Sequence, residues 1–511
     1  GAVTMYCSTD LHISPILPPG APILQSDQIR VSYCLSVEGD TAVADHEREW
    51  RIFRMNREAV LESLGRGECS GILPAARGFL DGFADFMLDA GILKAFEQFP
   101  DPRQRQSIPI FFFCNSLVHR PLFHLERLAQ IQRTLFRSPY ILRRLGFNAR
   151  QIAEGFYDTT DGETPFTVEA IAECFARADP EDFMANQKQV LKQLVEYCPG
   201  EFREALWVMD SVHVSVPRGA HTSALHFKVC VLGVWQESVV WPLLWAFVPE
   251  TTSELEVGPH LFAAAEEVLG EGFLQHLLVD RAYVDGKWIT QLYQRGTRVT
   301  IGVKEGMLAL EEMKNWRDAA DTQWTAVEPP KLPDAPLPER AVTGFVDLQE
   351  EWKSCAAPLS GCLIRDIYPD KTVYQGLVTT ASTAEATEIL NDNGRRWTLE
   401  EVYMTLTRYW QFDNLAPCRP GVAYAQVHFA LVAFTLLGFY LQETEQAENT
   451  ETWNQAPPAI PLPERELAVY AGPYFALLRA SELLEIILSH IDAWKANEAQ
   501  LLMALRHCES G

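Results

Sequence analysis

Three acidic residues lie in contexts that favour metal-dependent chemistry. Asp210 interrupts the apolar, β-branched run Ala205–Val216. A carboxylate in a buried strand is costly unless it is paired, protonated or bound to a cation. Asp280 directly follows a second apolar run, and Glu400 follows a polar segment much later in the chain. Carboxylates are preferred Mg²⁺ ligands, and two such ions can activate a nucleophile and stabilise the leaving oxygen in phosphoryl transfer. We predict that these three residues are catalytic and hold two Mg²⁺ or Mn²⁺ ions.

The segment Asn391–Leu415 contains the third acid. Its sequence predicts a polar turn around Gly394, followed by an amphipathic helix whose start is marked by a capping box of Thr398 and Glu401. Apolar residues recur at helical spacing and are predicted to face a core: Leu399, Val402, Tyr403, Leu406 and Trp410. Glu400 then lies on another face and is free to reach a different group. The alternative is that both glutamates only favour the positive end of a helix dipole.

Apolar runs and turns predict the elements that must bring the acids together. The predicted order is three consecutive strands, a helix, a strand, a helix and a strand. This order is typical of a mixed α/β sheet of the ribonuclease-H-like kind, in which acids at strand ends and on a covering helix can converge. The strands are predicted at Ala205–Val216, Leu225–Val234, Ser238–Val248, Phe273–Val279 and Arg298–Val303, and the helices at Pro259–Leu269 and Lys287–Arg295.

The rest of the chain divides around this core. We predict an N-terminal region without a clear assignment at 1–60, a helical DNA-binding region at 61–200 and a ribonuclease-H-like catalytic core at 201–304 and 376–445. A β-rich insertion at 305–375 interrupts the core, and a helical C-terminal tail is predicted at 446–511. Within the first region, Ile29–Val37 and Thr41–Val43 have the pattern of a hairpin.

Composition limits the partners and the compartment. The net charge of −25 argues against a generic nucleic-acid coat, because phosphate binding normally requires an excess of Lys and Arg. Any nucleic-acid surface must therefore be local, or metal ions must meet the polyanion. Eleven cysteines without a repeated spacing predict reduced thiols rather than a disulfide framework or a zinc site.

One segment is apolar enough to raise the question of a membrane. Val422–Leu441 is about long enough to span a bilayer. It contains Gln426, His428 and Thr435, however, and a buried core helix is the better prediction. No segment has the pattern of a secretory signal, so we expect a cytoplasmic protein without a membrane partner.

A basic island interrupts the acidic chain. Between Arg103 and Arg150, Glu126 is the only acidic residue, and arginines alternate with apolar and aromatic residues. The island is a candidate contact surface for the DNA backbone. The alternative is a set of helix faces on which arginine stems cover apolar surface. The arginines predicted to contact DNA are Arg120, Arg133, Arg137, Arg143 and Arg144.

The region Leu206–Leu441 resembles the DDE transposases of bacterial cut-and-paste insertion sequences, in the branch with a tyrosine–arginine–glutamate–lysine signature. Four segments carry the resemblance: WVMDSVHV around Asp210, His226-Phe227-Lys228, Asp280-Arg281-Ala282-Tyr283, and YQGLVTTASTAEATEILNDNGRRWTLEEVY. In this alignment Arg396 and Glu400 are the arginine and glutamate of the signature. Asn393 and Thr407 replace the tyrosine and lysine, and Arg408 adjoins the latter.

The resemblance implies a Mg²⁺-dependent transposase that hydrolyses DNA at element ends and transfers the freed 3′-hydroxyl into target DNA. It implies a homodimer on DNA, located in the bacterial cytoplasm with the nucleoid. Arg281, Arg396 and Arg408 are the implied DNA contacts, with His226 and Lys228 as further candidates. The replaced signature residues and the acidic charge leave two alternatives open. One is a domesticated nuclease, used in defence or element control, that cleaves without integrating. The other is a non-catalytic, transposase-derived binding module.

Overall fold

The computed structural model describes residues 50–75, 81–104, 106–156, 164–202, 205–236, 238–319, 321–329, 337–348, 352–381, 384–412, 415–444 and 466–509. The predicted hairpin between Ile29 and Val43 lies outside the described residues.

The described residues form thirteen strands and seventeen α-helices. The strands are β1 (Arg54–Met55), β2 (Gly71–Pro74), β3 (Leu206–Val216), β4 (Leu225–Gln236), β5 (Val239–Pro249), β6 (His276–Val279), β7 (Arg298–Gly302), β8 (Thr325–Val327), β9 (Glu339–Phe345), β10 (Ser360–Ile367), β11 (Thr372–Thr379), β12 (Glu466–Ala471) and β13 (Tyr474–Arg479). The helices are α1 (Arg57–Gly65), α2 (Asp81–Asp89), α3 (Ile92–Glu97), α4 (Ile110–Leu122), α5 (Leu128–Thr134), α6 (Pro139–Arg144), α7 (Ala149–Glu154), α8 (Val168–Phe175), α9 (Pro180–Tyr197), α10 (Glu254–Leu269), α11 (Gly286–Gln294), α12 (Leu308–Asn315), α13 (Ala386–Tyr409), α14 (Pro420–Glu443), α15 (Ala480–Ser489), α16 (Ile491–Lys495) and α17 (Glu498–Glu509).

A mixed sheet forms the centre of the molecule. Within the described residues it has nine strands in the order β5-β4-β3-β6-β7-β11-β10-β9-β8. Within this sheet β3, β4 and β5 pair antiparallel in turn. On the other side of β3, β6 pairs parallel with β3, and β7 pairs parallel with β6. This strand order and these directions are ribonuclease-H-like, and the predicted fold class is confirmed.

The segment between β7 and α13 enlarges the central sheet. β11 pairs antiparallel with β7, with Leu377 opposite Gly302. β10, β9 and β8 follow outward, each antiparallel to its neighbour. The strands of the predicted β-rich insertion therefore extend the central sheet, because their backbone groups complete the hydrogen bonding of its β7 edge.

α13 is one continuous helix across the sheet. It contacts β3, β6 and β7 at the centre and β9 to β11 on the extension. The predicted helix start at Thr398 is wrong. The N-cap is Glu385, and the Thr398 hydroxyl donates to the Arg395 carbonyl inside the helix over 2.7 Å. Contacts with the sheet override the weak helix propensity of the polar stretch around Gly394.

α14 is the central helix of the core. Among the described residues it is the one helix long and apolar enough to cross a membrane, but 94% of its apolar window is buried inside the protein. It packs against α4, α9 and β5. At Gly438 a Cβ atom would lie only 2.3 Å from the Trp241 ring, so this close approach requires glycine. The prediction of a buried core helix is confirmed.

A second, smaller sheet joins segments from the two ends of the described chain. Its order is β1-β13-β12-β2, and α1 and the last three helices pack on it around Val60, Ile72, Leu478 and Trp494. The helical tail predicted at 446–511 is therefore wrong at 466–479, where the hairpin β12–β13 lies, and its residues 446–465 lie outside the described residues. The hairpin was missed because each of its strands is short and because its neighbours β1 and β2 are distant in sequence.

Candidate active site

Three carboxylates converge on one guanidinium group. Arg396 Nη1 is hydrogen-bonded to Asp210 Oδ2 and lies 3.7 Å from Asp280 Oδ1. Arg396 Nη2 donates to Glu400 Oε1 over 2.9 Å. The three acids predicted from sequence therefore lie within reach of a single side chain, although long stretches of chain separate them.

Strand register places the two aspartates side by side. Met209 of β3 is opposite Val279 of β6 in a parallel pair. The residue that follows each of them is an aspartate, so Asp210 and Asp280 lie next to each other. The Asp280 amide donates to the Met209 carbonyl over 3.1 Å. One carboxylate oxygen of Asp210 accepts from the Ser211 amide over 2.7 Å, and one of Asp280 accepts from the Ala282 amide over 3.0 Å.

The covering helix supplies the third acid. Arg396 and Glu400 are one turn apart on α13, so their side chains share a face. One turn further, the buried Tyr403 donates its hydroxyl to the Asp210 carbonyl over 3.3 Å. This contact fixes the helix beside the strand that carries the first acid.

Burial sets the charge state of the site. The Asp210 residue is only 5% exposed, and this burial raises the pKa of its carboxyl to about 7, against the opposing effect of Arg396. Burial disfavours the charge on Arg396, but the charges of Asp210, Glu400 and Asp280 outweigh it and raise the pKa of the guanidinium. Asp280 and Glu400 are more exposed, so the site opens to solvent on their side.

The donor set fits divalent cations by type, because Asp and Glu oxygens are hard ligands that suit Mg²⁺ and Mn²⁺. As they stand, no three His, Cys, Asp or Glu side chains of the described residues are grouped closely enough to hold an ion. The guanidinium of Arg396 lies among the acids instead and neutralises part of their charge. A cation shared by the three acids would compete with Arg396 for their oxygens.

A neighbouring buried carboxylate was missed by the sequence analysis. Asp392, one turn before Arg396, is 1% exposed. Its Oδ2 accepts from Thr300 Oγ1 over 3.1 Å and from Arg298 Nη2 over 3.2 Å, and it lies 3.2 Å from His276 Nε2. The hydrogen bond and charge of His276 and the charge of Arg298 outweigh burial and lower the Asp392 pKa. Had the helix been predicted as continuous, the i, i+4, i+8 spacing of Asp392, Arg396 and Glu400 would have been its signal.

Three arginines predicted to contact DNA are buried, and that prediction is wrong for them. Arg120 is 1% exposed and donates to Gln426 Oε1 over 2.6 Å. Arg144 forms an ion pair of 2.6 Å with Asp81. Arg143 is 7% exposed and lies over the Phe53 ring. These three arginines stabilise the interior of the helical region, where a buried carboxylate, an amide and an aromatic ring compensate their charges.

Lys228 is corrected in the same way, because its ammonium group is 2.9 Å from Glu254 Oε1 and the residue is 8% exposed. Of the other predicted contacts, Arg396 lies among the three acids, and the rest are on the surface. His226 is exposed and lies 3.0 Å from the Ser215 hydroxyl. The remaining candidates are exposed arginines: Arg133, Arg137, Arg281 and Arg408. Their contact with DNA stays a prediction.

Several solved structures are distantly similar to this chain. A solved structure described as a piggyBac transposase synaptic complex with hairpin DNA is similar over 75% of this chain and 82% of that chain, with 11% sequence identity and a TM-score of 0.37. No known protein family model matches the chain, and no curated protein matches it. The tyrosine–arginine–glutamate–lysine branch therefore stays a prediction.

Proposed function

We propose that the chain is a DDE-type DNA nuclease and strand transferase that depends on divalent metal ions. One observation carries the proposal: Asp210, Asp280 and Glu400 converge beside the central strands β3 and β6 of a ribonuclease-H-like sheet. Acids that repel one another are costly to collect in one place, and cations relieve that cost. The arrangement supports metal-assisted phosphodiester chemistry better than a purely structural role.

Each side chain of the site has a role in this proposal. The three carboxylates would hold two Mg²⁺ or Mn²⁺ ions, which when bound activate a water or 3′-hydroxyl and stabilise the leaving oxygen. Arg396 compensates the acids before cations arrive. Once it turns away, its planar guanidinium is suited to pair with a DNA phosphate in two hydrogen bonds.

DNA is the proposed partner, bound at local basic positions of an acidic protein. Arg281 adjoins Asp280 and is exposed, and Arg133 and Arg137 are exposed on the helical region. Because the reaction joins two element ends to a target, a homodimer on DNA is proposed, in the bacterial cytoplasm.

The guanidinium at the centre of the acids favours a second candidate. A charge cluster that is already partly neutralised without cations suits a transposase-derived binding module that performs no catalysis. This candidate and the proposed enzyme differ in whether cations displace Arg396.

Neutralising one acid at a time tests the enzyme. Asp210→Asn and Glu400→Gln remove a charge from the centre, and Glu401→Gln is the matched control, because Glu401 is the exposed neighbour on the same helix. We expect the first two variants to lose Mn²⁺-dependent nicking of supercoiled plasmid DNA by about a thousandfold or more, while the control keeps it. Circular dichroism checks the fold. Undiminished nicking by both charge-neutral variants contradicts the proposal.

Strand transfer separates a transposase from a nuclease that only hydrolyses. Duplexes with free 3′-hydroxyls, taken from the DNA that flanks the gene, are incubated with the protein, Mn²⁺ and a target plasmid. Joined products support the transposase. Nicking without joined products supports the domesticated nuclease, to which the replaced signature residues Asn393 and Thr407 also point.

A further inference from the structure

A buried ionic cluster lies one helical turn from the candidate active site. Besides its three sheet partners, Asp392 accepts from Arg395 Nη1 over 3.3 Å, so donors surround its carboxylate. Arg298 reaches the helix a second time, through Nη1 to Glu388 Oε1 over 2.6 Å. Thr300 continues the network to Thr379 of β11 over 3.1 Å.

Apart from Arg396, which contacts Asp210 and Asp280, the middle of α13 has few other residues that hold it on the sheet. Ile389 packs on the extension strands, and Leu399 packs in the central core. Between these two, Asp392 is the only buried residue of the helix. The stretch also contains Gly394, which lowers helix stability. A Cβ atom at this position would have no neighbour within 4 Å, so packing does not require the glycine. The helix is therefore held here by polar contacts.

The sheet partners of Asp392 belong to β6 and β7, the parallel strands beside the candidate active site. His276 begins β6, and Asp280 follows the end of that strand. Arg298 and Thr300 are in β7, the next parallel strand. A contact between Asp392 and these strands fixes the helix relative to the aspartates in both translation and rotation.

We infer that Asp392 is a positioning residue, which docks α13 on β6 and β7 so that Arg396 and Glu400 face Asp210 and Asp280. The inference rests on the proposed function, because it assigns a purpose to that docking. Glu400 is the acid that depends on it most. Its side chain is 34% exposed, and its contact with the site runs through Arg396, which the same helix carries.

The test compares Asp392→Asn with Glu388→Gln. Both variants remove one carboxylate charge from the same partner, Arg298, but Glu388 is half exposed and lies on the outer side of the cluster. We expect Asp392→Asn to weaken Mn²⁺ binding, measured by electron paramagnetic resonance of free Mn²⁺, by about 10- to 100-fold, as loss of a residue that orients metal ligands does. The kcat of plasmid nicking should fall with it, and the Kd for plasmid DNA should stay unchanged. Glu388→Gln should match the wild type in all three.

Two outcomes overturn the inference. One is a folded Asp392→Asn protein that binds Mn²⁺ as the wild type does, and the other is an equal loss in Glu388→Gln. If Asp392→Asn does not fold, His276→Gln replaces it, because this change removes one partner of Asp392 from a partly exposed position. A smaller loss of Mn²⁺ affinity in His276→Gln then supports the inference, and unchanged affinity refutes it.

A separate measurement distinguishes this inference from the proposed function. If the wild type neither binds Mn²⁺ nor nicks DNA, the proposed function fails. Amide hydrogen exchange of residues 393–400 then decides the docking in the metal-free protein. Faster exchange there in Asp392→Asn, with Glu388→Gln unchanged, supports a docking role, and equal exchange in both variants contradicts it.

Discussion

Arg396 and Asp210 form a buried ion pair between the covering helix and the central strand, and the same guanidinium donates to Glu400 one turn along the helix. The site therefore contains its own counter-ion. In this arrangement a single side chain supplies part of the charge compensation that bound cations would provide. Its removal and its titration both lead to measurable predictions.

Loss of Arg396 should strengthen cation binding. In Arg396→Ala the three acids repel one another without compensation, and no guanidinium competes for their oxygens. We expect Mn²⁺ affinity to rise by about tenfold, since the variant removes one full charge at contact distance. DNA nicking should nevertheless fall if Arg396 also contacts phosphate. Titration of free Mn²⁺ measures the first effect, with Arg408→Ala as the control for a lost surface charge. Weaker Mn²⁺ binding than wild type would contradict the role of Arg396 as a counter-ion.

Mn²⁺ binding should depend on pH through Asp210. The pKa of its carboxyl is raised to about 7, so at pH 6 most molecules must release a proton before the carboxylate can bind a cation. Affinity should rise between pH 6 and pH 8 and then level off. In Asp210→Asn the affinity should be lower, and this pH dependence should disappear. A wild-type affinity that stays constant from pH 6 to pH 8 would exclude a titrating Asp210.

The same carboxyl should make the metal-free protein less stable as pH rises. Its pKa is raised from the ordinary value of 3.8 to about 7, so between these values the folded protein binds more protons than the unfolded chain. By linkage the free energy of unfolding then falls as pH increases through this window. Thermal midpoints at pH 5 and pH 8 measure the effect. We expect the difference between them to be smaller in Asp210→Asn, and an equal difference would assign the pH dependence to other groups.

Exposed and buried arginines of the basic island should behave differently. Arg133→Ala and Arg137→Ala should each weaken DNA binding, with a salt slope reduced by about one and the thermal midpoint unchanged. Arg144→Ala leaves the buried carboxylate of Asp81 without its ion-pair partner, so this change should destabilise the fold by about 3–5 kcal/mol. Salt-dependent fluorescence anisotropy and denaturant unfolding measure the two effects. DNA binding unaffected in both surface variants would place the DNA contacts elsewhere.

The sequence predicted β3 to β7 well, because β3 to β5 are long apolar runs that neighbour one another in the chain and β6 and β7 are bounded by clear helices. Asp210 and Asp280 were identifiable for the same reason, since each interrupts or ends such a run. Their convergence with Glu400 follows from the parallel register of β3 and β6 and from a helix that crosses both. The predicted roles of these residues remain to be tested.

Long-range polar pairing could not be predicted. Arg120 and Arg144 have the sequence pattern of surface charges, and only their distant partners Gln426 and Asp81 explain their burial. The polar stretch around Gly394 resembled a turn because the local sequence does not contain Arg298 and His276, which hold that part of the helix. Both errors arise where contacts between remote segments outweigh local preference.

The small sheet has a consequence for biosynthesis. β2 pairs with β12, and β1 pairs with β13, so these two early strands acquire their neighbours only after the central sheet and its helices have been synthesised. Until then the backbone groups of Gly71–Pro74 face no partner, and an open strand edge of this kind invites association with other chains. The β12–β13 hairpin therefore closes this strand edge against association with other chains.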